Sequence, residues 1–306
     1  MDKAPIVLFV YNRIEHTKIT IEALKNNIYA DESDLYIFSD GPKNEGAFEK
    51  VNEIRKILRN ISGFRNVYII EREKNYGLAD NIISGVTEIV NKYKKVIVLE
   101  DDIVTSKYFL KFMNDSLDRY ENNNEVMSVS GYISPIKSDN LPDSFFLPWF
   151  ECWGWGTWKR SWDFFERNPQ KLLLSINFKQ INFINVNKSF PLMWNQVIDN
   201  YTNRIKTWAI FFHIVICENE GKVLYPKGSL CNNIGFDGSG ENCNVCNAYN
   251  VELNNSPQVV FPEVIENDKR AMNSLISFYK KQVNIFSRVK LFIKRLYYYI
   301  YLHLFF

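Results

Sequence analysis

Short apolar segments alternate with helical patterns over the first hundred residues of this 306-residue chain, and the alternation restricts its fold more than any other feature. The apolar segments span residues 6–10, 35–38, 67–70 and 96–99. Short uninterrupted apolar runs are typical of parallel strands buried on both faces. Between them, apolar residues recur at helical spacing in residues 16–26, 48–61 and 78–93. The order β-α-β-α-β-α-β predicts an α/β fold with a doubly wound sheet.

The rest of the chain follows a different pattern. We predict a helix at 106–120, a strand at 126–132, an aromatic stretch broken by glycines at 145–162, a helical region at 191–217 and a strand at 223–226. No internal repeat or clear linker interrupts the sequence. We therefore predict one domain over residues 1–283, with halves at 1–132 and 133–283, and a separate tail at 284–306.

Charge and cysteine content narrow the class of protein. Lys and Arg total 37 and Asp and Glu total 35, so the overall charge does not favour nucleic-acid binding. The number of cysteines, five, is odd, and the first apolar run is too short for a secretory signal or a membrane span. These features predict a cytoplasmic protein and leave its oligomeric state open.

Three consecutive acids, Glu100, Asp101 and Asp102, follow the apolar segment 96–99. Parallel sheets bind ligands at the carboxyl ends of their strands, and Arg13, Asp40 and Asn75 also follow such ends. Mn²⁺ and Mg²⁺ take oxygen ligands and are often held by one or two carboxylates together with substrate phosphates. We therefore predict a metal and phosphate site. The alternative is a solvated turn that caps the following helix.

Four segments carry a resemblance to a known family: residues 5–13, 39–41, 75–79 and 98–102, in that order. Together they resemble the GT-A glycosyltransferases, and more closely the family of N-acetylglucosaminyltransferase I and its bacterial relatives in surface-polysaccharide synthesis. The resemblance implies a Rossmann-like mixed sheet flanked by helices. It also implies metal-dependent, inverting transfer of a sugar from a UDP-sugar to a glycan or lipid-linked acceptor.

The resemblance also implies roles for individual residues. Asp102 matches the acid that coordinates the metal, Arg13 the basic residue near the diphosphate, and Asp40 the acid that reads the uracil edge. The residues implied to contact the donor are Val10, Tyr11, Arg13, Asp40, Asn75, Gly77, Asp80, Glu100 and Asp101. The sequence leaves other interpretations open: a surface salt bridge for Arg13, a turn for Asp40 and a helix cap for Asp80.

The second half offers candidates for the acceptor side. Trp153 and Trp155 lie in a stretch dense in tryptophan and glycine, where indoles could stack on a sugar or simply pack a core. Residues 232–240 contain Gly235, Gly238 and Gly240 and match a family loop that orders over the bound donor. A lid of this kind would exclude water. The alternative is an ordinary connecting loop.

An inverting transferase needs a base to deprotonate the attacking hydroxyl. In N-acetylglucosaminyltransferase I an Asp follows a Trp before the last strand, whereas here Ala209 follows Trp208. We select Asp237 as the candidate base, because it lies in the predicted lid, although a turn residue would look the same. The substitutes are Asp199, Glu218 and Glu241.

The tail at 284–306 mixes four basic residues with many aromatic and aliphatic ones. This pattern predicts a C-terminal amphipathic helix on the anionic inner face of the cytoplasmic membrane. Its most apolar part, 296–306, is too short to span about 30 Å of hydrocarbon. The alternative is a helix that docks on the core or on a partner subunit.

Two competing functions stay open. A sugar nucleotidyltransferase also uses an α/β sheet and a metal, but its glycine-rich phosphate loop is missing after the first strand, at residues 10–13. A catalytically inactive sugar-binding protein would account for Ala209.

Overall fold

The computed structural model describes residues 2–239, 246–256 and 259–305 of the chain. Its strands are β1 (Ile6–Val10), β2 (Asp34–Ser39), β3 (Asn66–Glu71), β4 (Lys95–Glu100), β5 (Ile103–Thr105), β6 (Val126–Ser130), β7 (Ser144–Leu147), β8 (Trp155–Trp158), β9 (Lys222–Pro226) and β10 (Cys231–Asn233). Its helices are α1 (Ile14–Lys25), α2 (Glu45–Leu58), α3 (Gly77–Tyr93), α4 (Phe109–Arg119), α5 (Lys159–Trp162), α6 (Pro169–Ser175), α7 (Phe178–Ile184), α8 (Leu192–Tyr201), α9 (Ala209–Glu218), α10 (Lys269–Gln282) and α11 (Ile285–Phe305).

One mixed sheet runs through both predicted halves, in the strand order β3-β2-β1-β4-β8-β6-β9-β7. The strands β3, β2, β1 and β4 are parallel. Strand β8 is antiparallel to both β4 and β6, so β6 runs parallel to β4, and β9 runs parallel to β6. The carboxyl ends of β1, β2, β4, β6 and β9 therefore lie at one edge of the sheet, together with the amino end of β8.

The predicted α/β arrangement of the first half is confirmed. Every residue of β1 and β2 is buried, and Ile6 of β1 lies between Leu35 of β2 and Ile97 of β4. Helices α2 and α3 bury apolar residues at helical spacing, as the sequence pattern predicted. The prediction that every strand is buried on both faces is wrong for β3, whose residues are exposed or half-buried. Strand β3 is the outermost strand of the sheet, so it has a neighbouring strand on one side only.

Helices α6 to α9 enclose a separate hydrophobic cluster that includes Leu173, Trp194 and Ile214. The tail helix α11 packs against this group of helices. Lys294 donates hydrogen bonds to Asn195 and Asp199 of α8, and Arg288 donates to backbone carbonyls that precede α8. The tail is therefore helical, as predicted, and one of its faces docks on the chain. Among the described helices, none combines the length and the apolar character that a membrane span requires.

Candidate active site

Arg13 joins the ends of β1 and β4. It is the residue before α1, while the acidic triplet ends β4, and the register pairs Phe9 with Glu100. The Nη2 atom of Arg13 donates a hydrogen bond of 2.8 Å to Oδ2 of Asp102 and another to Oδ1 of Asp101. The sequence prediction that these side chains lie together at one sheet edge is confirmed.

The electrostatics of this cluster follow from burial and charge crowding. Burial raises the pKa of Glu100 to about 8, and the neighbouring charges of Asp102 and Asp101 add to the effect. Burial also raises the pKa of Asp101 to about 6, against the opposing attraction of Arg13. Burial acts to lower the pKa of Arg13, but Asp101 and Asp102 outweigh it and raise that pKa. The cluster thus holds more negative than positive groups.

One oxygen of the cluster is left without a partner. Oδ1 of Asp102 is buried and accepts no hydrogen bond from any described residue. A buried carboxylate oxygen without a donor is costly, and a cation would satisfy it. The described residues contain no group of three His, Cys, Asp or Glu side chains able to hold a metal. The free Oδ1 of Asp102 fits a cation that takes one protein carboxylate and completes its shell with substrate phosphate and water.

Asp40 organises the loop before α3. Its Oδ1 accepts hydrogen bonds from the N–H groups of Gly41 (2.9 Å) and Tyr76 (2.8 Å), and its Oδ2 accepts from Gly77 N–H (2.9 Å) and the Asn75 amide (3.2 Å). Gly77 has a φ of +71°, which a glycine adopts at little cost. Both oxygens of Asp40 are engaged within the protein, so the predicted uracil contact would have to compete with four hydrogen bonds.

Three other predicted donor contacts differ in their surroundings. The carbonyl of Val10 accepts a hydrogen bond from Asp40 N–H, and the hydroxyl of Tyr11 accepts one from Lys43 N–H, so both lie beside the Asp40 turn. Asp80 neither caps α3 nor faces the acidic triplet, because its carboxylate pairs with Arg167 and Lys206. The donor contact predicted for Asp80 therefore lacks structural support.

The predicted lid lies over the acidic triplet. Strand β10 pairs antiparallel with β5, which directly follows the triplet, and Ile234 N–H donates to the carbonyl of Asp102. A Cβ added at Gly235 would lie 2.2 Å from Oδ2 of Asp102 and 2.8 Å from Nη1 of Arg13. A side chain at this position would have to displace the Asp102 carboxylate or the Arg13 guanidinium. The predicted lid residue Gly240 and the substitute base Glu241 lie outside the described residues.

The two tryptophans predicted for the acceptor side have different surroundings. Trp153 is half-buried, and its ring contacts Tyr132, Phe236 and Tyr249 edge-on, with centroids 4.5 to 6.0 Å apart. Trp155 is 1% exposed and stacks on Trp208 within the main core. This burial argues against an acceptor contact for Trp155, because a residue in the middle of the sheet cannot present its indole face to a sugar.

The candidate bases occupy different places. Asp237 is exposed on the loop after β10, where its carboxylate lies 3.1 Å from Nε2 of His16. Asp199 pairs with Lys294 of the tail. Glu218 ends α9 just before the amino end of β9, at the opposite edge of the sheet. The residue that follows Trp208 is Ala209, which begins α9 and packs against the core, so this position supplies no base.

A carboxylate that the sequence reasoning missed lies at the same edge as the triplet. Glu151 comes four residues before β8, and its Oε1 accepts hydrogen bonds from Tyr279 (2.5 Å) and Ser134 (3.4 Å). Burial raises the pKa of Glu151 to about 7. A single acid before Cys152 and Trp153 carries no motif, and only the antiparallel placement of β8 brings it to this edge.

A comparison with protein families identifies the family of this chain. The sequence profile of glycosyl transferase family 2 matches residues 6–188, which is more than half of the chain. A comparison with curated protein sequences gives no match. The chain is also similar to two solved structures: TarS of S. aureus, and the mannosyltransferase PcManGT from Pyrobaculum calidifontis in complex with GDP-Man and Mn²⁺.

The structural similarities are distant. For TarS the identity is 10%, the TM-score is 0.40, and the match covers 75% of this chain and 36% of the TarS chain. For PcManGT the identity is 10%, the TM-score is 0.37, and the match covers 71% of this chain and 69% of the other. The chain thus spans about a third of the length of TarS. The closer resemblance to N-acetylglucosaminyltransferase I stays a prediction.

Proposed function

Because the chain belongs to glycosyl transferase family 2 and is a glycosyltransferase of the GT-A fold, we propose that it transfers a sugar from a UDP-sugar to a glycan or lipid-linked acceptor. The observation that carries this proposal is the unpartnered Oδ1 of Asp102 beside Arg13, at the carboxyl end of β4. Family membership favours transfer over the nucleotidyltransferase and inactive-binder interpretations. Surface-polysaccharide synthesis is the proposed setting.

Asp102 would hold Mn²⁺ or Mg²⁺ through its free oxygen. Bound there, the cation would offset the negative charge that builds up on the departing diphosphate. Arg13 would contribute a forked donor to the same diphosphate. Its present partners, Asp101 and Asp102, already position its guanidinium at the strand ends.

The remaining donor contacts would come from both sides of the triplet. Glu100 and Asp101 would accept hydrogen bonds from the sugar and ribose hydroxyls. Asp40 would shape the nucleoside end by fixing the backbone of Asn75 and Gly77, since it binds both. The predicted lid, residues 232–240, would cover the donor through Gly235 and exclude water, which limits hydrolysis.

The acceptor would bind on the Trp153 side. Trp153, Phe236 and Tyr249 form a half-buried aromatic group whose members come from the start of β8 and from the chain beyond β10. Aromatic rings offer broad apolar faces that suit the carbon-bound face of a sugar. Since Phe236 belongs to the loop that covers Asp102, acceptor binding and loop closure would be coupled.

The tail would place this site at an anionic membrane surface. Residues 269–306 contain eight Lys and Arg and no Asp or Glu, which complements an anionic leaflet. Helix α11 carries exposed apolar residues along its length, each 38% to 83% exposed: Ile285, Phe286, Val289, Phe292, Ile293, Leu296, Tyr297, Ile300 and Tyr301. Exposed apolar residues with exposed lysines beside them are typical of an interfacial helix.

The proposed activity is tested by incubating the full chain with a panel of nucleotide sugars, with Mn²⁺ or with EDTA, and measuring the released nucleoside diphosphate. We expect release from at least one UDP-sugar, with Mn²⁺ only. Release from other nucleotide sugars alone would overturn the donor assignment, and release that persists in EDTA would overturn the metal assignment.

The membrane proposal is tested by sedimentation with phosphatidylserine vesicles. Replacing Lys280, Lys281 and Lys290, which are all exposed, with glutamate should release the protein, because each cation contributes about 1 kcal/mol near such a surface. The matched control is the triple change to arginine, which keeps the charge. Equal sedimentation of the glutamate variant and the wild type would contradict the proposal.

A further inference from the structure

The proposed transfer needs a group that takes the proton from the acceptor hydroxyl. The position after Trp208, where the resemblance places that group, has no acid. Ala209 follows Trp208 and begins α9. Asp237 is a poor replacement: its side chain is 47% exposed and paired with His16. A hydrogen bond from Ser239, with a smaller effect of His16, lowers the pKa of Asp237, and a carboxylate with a low pKa is a weak base.

Glu151 lies at the edge of the sheet that carries the acidic triplet. The register of β4 and β8 pairs Val98 with Trp155, so the chain before Trp155 runs beside the end of β4. Gly154 accepts a hydrogen bond from Gly131 N–H just after β6. The Glu151 carbonyl and carboxylate accept from Ser130 and Ser134, at the carboxyl end of β6. These contacts place Glu151 between the ends of β4 and β6.

The charges of the acidic triplet and of Glu151 both act on the thiol of Cys152. Burial raises the pKa of Cys152 well above its usual range, and the charges of Glu100, Glu151 and Asp102 raise it further, in that order. The thiol therefore lies within the field of both the triplet and Glu151. The next residue, Trp153, belongs to the aromatic group proposed for the acceptor.

The environment of Glu151 leaves one oxygen available. Its Oε1 accepts from Tyr279 and Ser134, whereas its Oε2 has no hydrogen-bond partner and its carboxylate no ion pair among the described residues. The titratable groups that surround it are Cys152, Tyr132, Tyr225, Tyr249 and Tyr279. With its pKa raised to about 7, this carboxyl group is matched to proton transfer near neutral pH.

We infer that Glu151 is the catalytic residue that accepts the proton of the acceptor hydroxyl through Oε2. This inference rests on the proposed function. The hydroxyl oxygen forms a bond to the anomeric carbon of the donor sugar, and the bond from that carbon to the diphosphate oxygen breaks. Its electron pair leaves with the nucleoside diphosphate, and the hydroxyl proton passes to Glu151. The products are the glycoside, the nucleoside diphosphate and protonated Glu151.

The first test uses Glu151→Gln and the UDP-sugar that the protein hydrolyses fastest with Mn²⁺, so that water serves as the acceptor. We expect hydrolysis to fall at least ~100-fold, the low end of what a general base contributes. Melting temperature and its Mn²⁺-dependent rise with UDP should stay near the wild-type values. Glu151→Asp should recover part of the lost rate.

Glu218→Gln is the control, because burial also raises the pKa of Glu218, although this residue is exposed. It lies at the opposite sheet edge and should change hydrolysis less than ~3-fold. Asp237→Asn compares the two candidate bases directly. A larger loss for Asp237→Asn than for Glu151→Gln would overturn the assignment, as would near-normal hydrolysis by Glu151→Gln.

A second test separates proton transfer from a structural role of the Glu151–Tyr279 contact. The wild-type kcat should fall on the acid side with an apparent pKa near 7. The Tyr279 hydroxyl stabilises the charged form of Glu151, so Tyr279→Phe should move that limb to higher pH. An unmoved limb would contradict the inference even if Glu151→Gln fails to fold. If no nucleotide sugar is bound or hydrolysed, the proposed function itself fails and the inference falls with it.

Discussion

The two halves of this sheet build their parts of the site in different ways. In the first half, Arg13, Asp40 and Asp102 each follow a parallel strand, and the parallel order alone brings them to one edge. In the second half, Glu151 and Trp153 precede an antiparallel strand, and Gly235 follows a strand of the small second sheet. The proposed donor side is thus built from residues that directly follow neighbouring strands, whereas the proposed acceptor side depends on pairing between distant segments.

This difference changes what a substitution can do. The loss of Arg13 or Asp102 should affect ligand binding more than folding, because their side chains lie at strand ends, whereas Asp40 also holds the loop before α3. In the second half, a residue that packs the core can lie two positions from one proposed for the site. Trp155 is buried in the core, whereas Trp153 belongs to the half-buried aromatic group. The following predictions test that contrast, from the largest expected effect to the smallest.

Trp155→Ala should lower the free energy of unfolding by about 3–5 kcal/mol, because it removes a buried indole that stacks on Trp208. Trp153→Ala should cost less stability, since Trp153 is half-buried, and should weaken acceptor use instead. Urea denaturation of both variants measures the difference. Equal destabilisation would show that both indoles belong to the core.

The stability of the protein should fall as the pH rises from about 4.5 to about 7, because Glu151 is protonated in the folded state over that interval and ionised in the unfolded chain. The contribution of this one group is at most about 1.4 kcal/mol per pH unit. Glu151→Gln lacks it, so the unfolding free energies of the two proteins should converge or cross towards pH 8. A constant difference between pH 5 and pH 8 would contradict the raised pKa.

Gly235→Ala should weaken Mn²⁺-dependent donor binding roughly 5- to 150-fold, which corresponds to the 1–3 kcal/mol cost of overpacking. The added methyl would meet Asp102 and Arg13. The control is Gly46→Ala, where the methyl has only an ordinary contact with Asn44. Titration calorimetry measures both affinities, and equal affinities would place the loop elsewhere when the donor binds.

Asp80→Asn should change stability by less than about 1 kcal/mol, because the side chain of Asp80 is 44% exposed in its pairs with Arg167 and Lys206. Donor affinity should also stay close to that of the wild type. A large loss of donor affinity would restore Asp80 to the donor site and would extend that site towards the second half.

Much of the proposed donor side could be predicted from the sequence. The apolar runs and the acids that follow them identify β1, β2 and β4 and the position of Asp102, because hydrophobic periodicity and strand-end geometry are local rules. The same local rules could not show that both carboxylate oxygens of Asp40 accept hydrogen bonds from the loop that contains Asn75 and Gly77. Hydrogen bonds to the backbone of a distant segment cannot be predicted from the hydrophobic pattern of the sequence.

The proposed acceptor side was harder to predict, because it too depends on contacts between distant segments. Trp153 and Trp155 look alike in sequence, and only the start of β8 separates them: Trp155 is the first residue of the strand, between β4 and β6, whereas Trp153 precedes it. Glu151 carried no motif, and its raised pKa arises only once the surrounding aromatic residues have packed around it. Asp237 was selected for its place in a glycine-rich loop, yet its carboxylate is exposed and paired with His16.

The most direct test of the account is the thermal stability of the wild type and of Asp102→Asn with the preferred UDP-sugar, each with Mn²⁺ and with EDTA. Binding to the folded state at about 100 times Kd adds about 2.7 kcal/mol of stability. We predict that the wild type gains this stabilisation only with Mn²⁺ and that Asp102→Asn, which removes the charge behind the free oxygen, loses it. A stabilisation of the same size in Asp102→Asn or in EDTA would contradict the assignment of Asp102 to the metal.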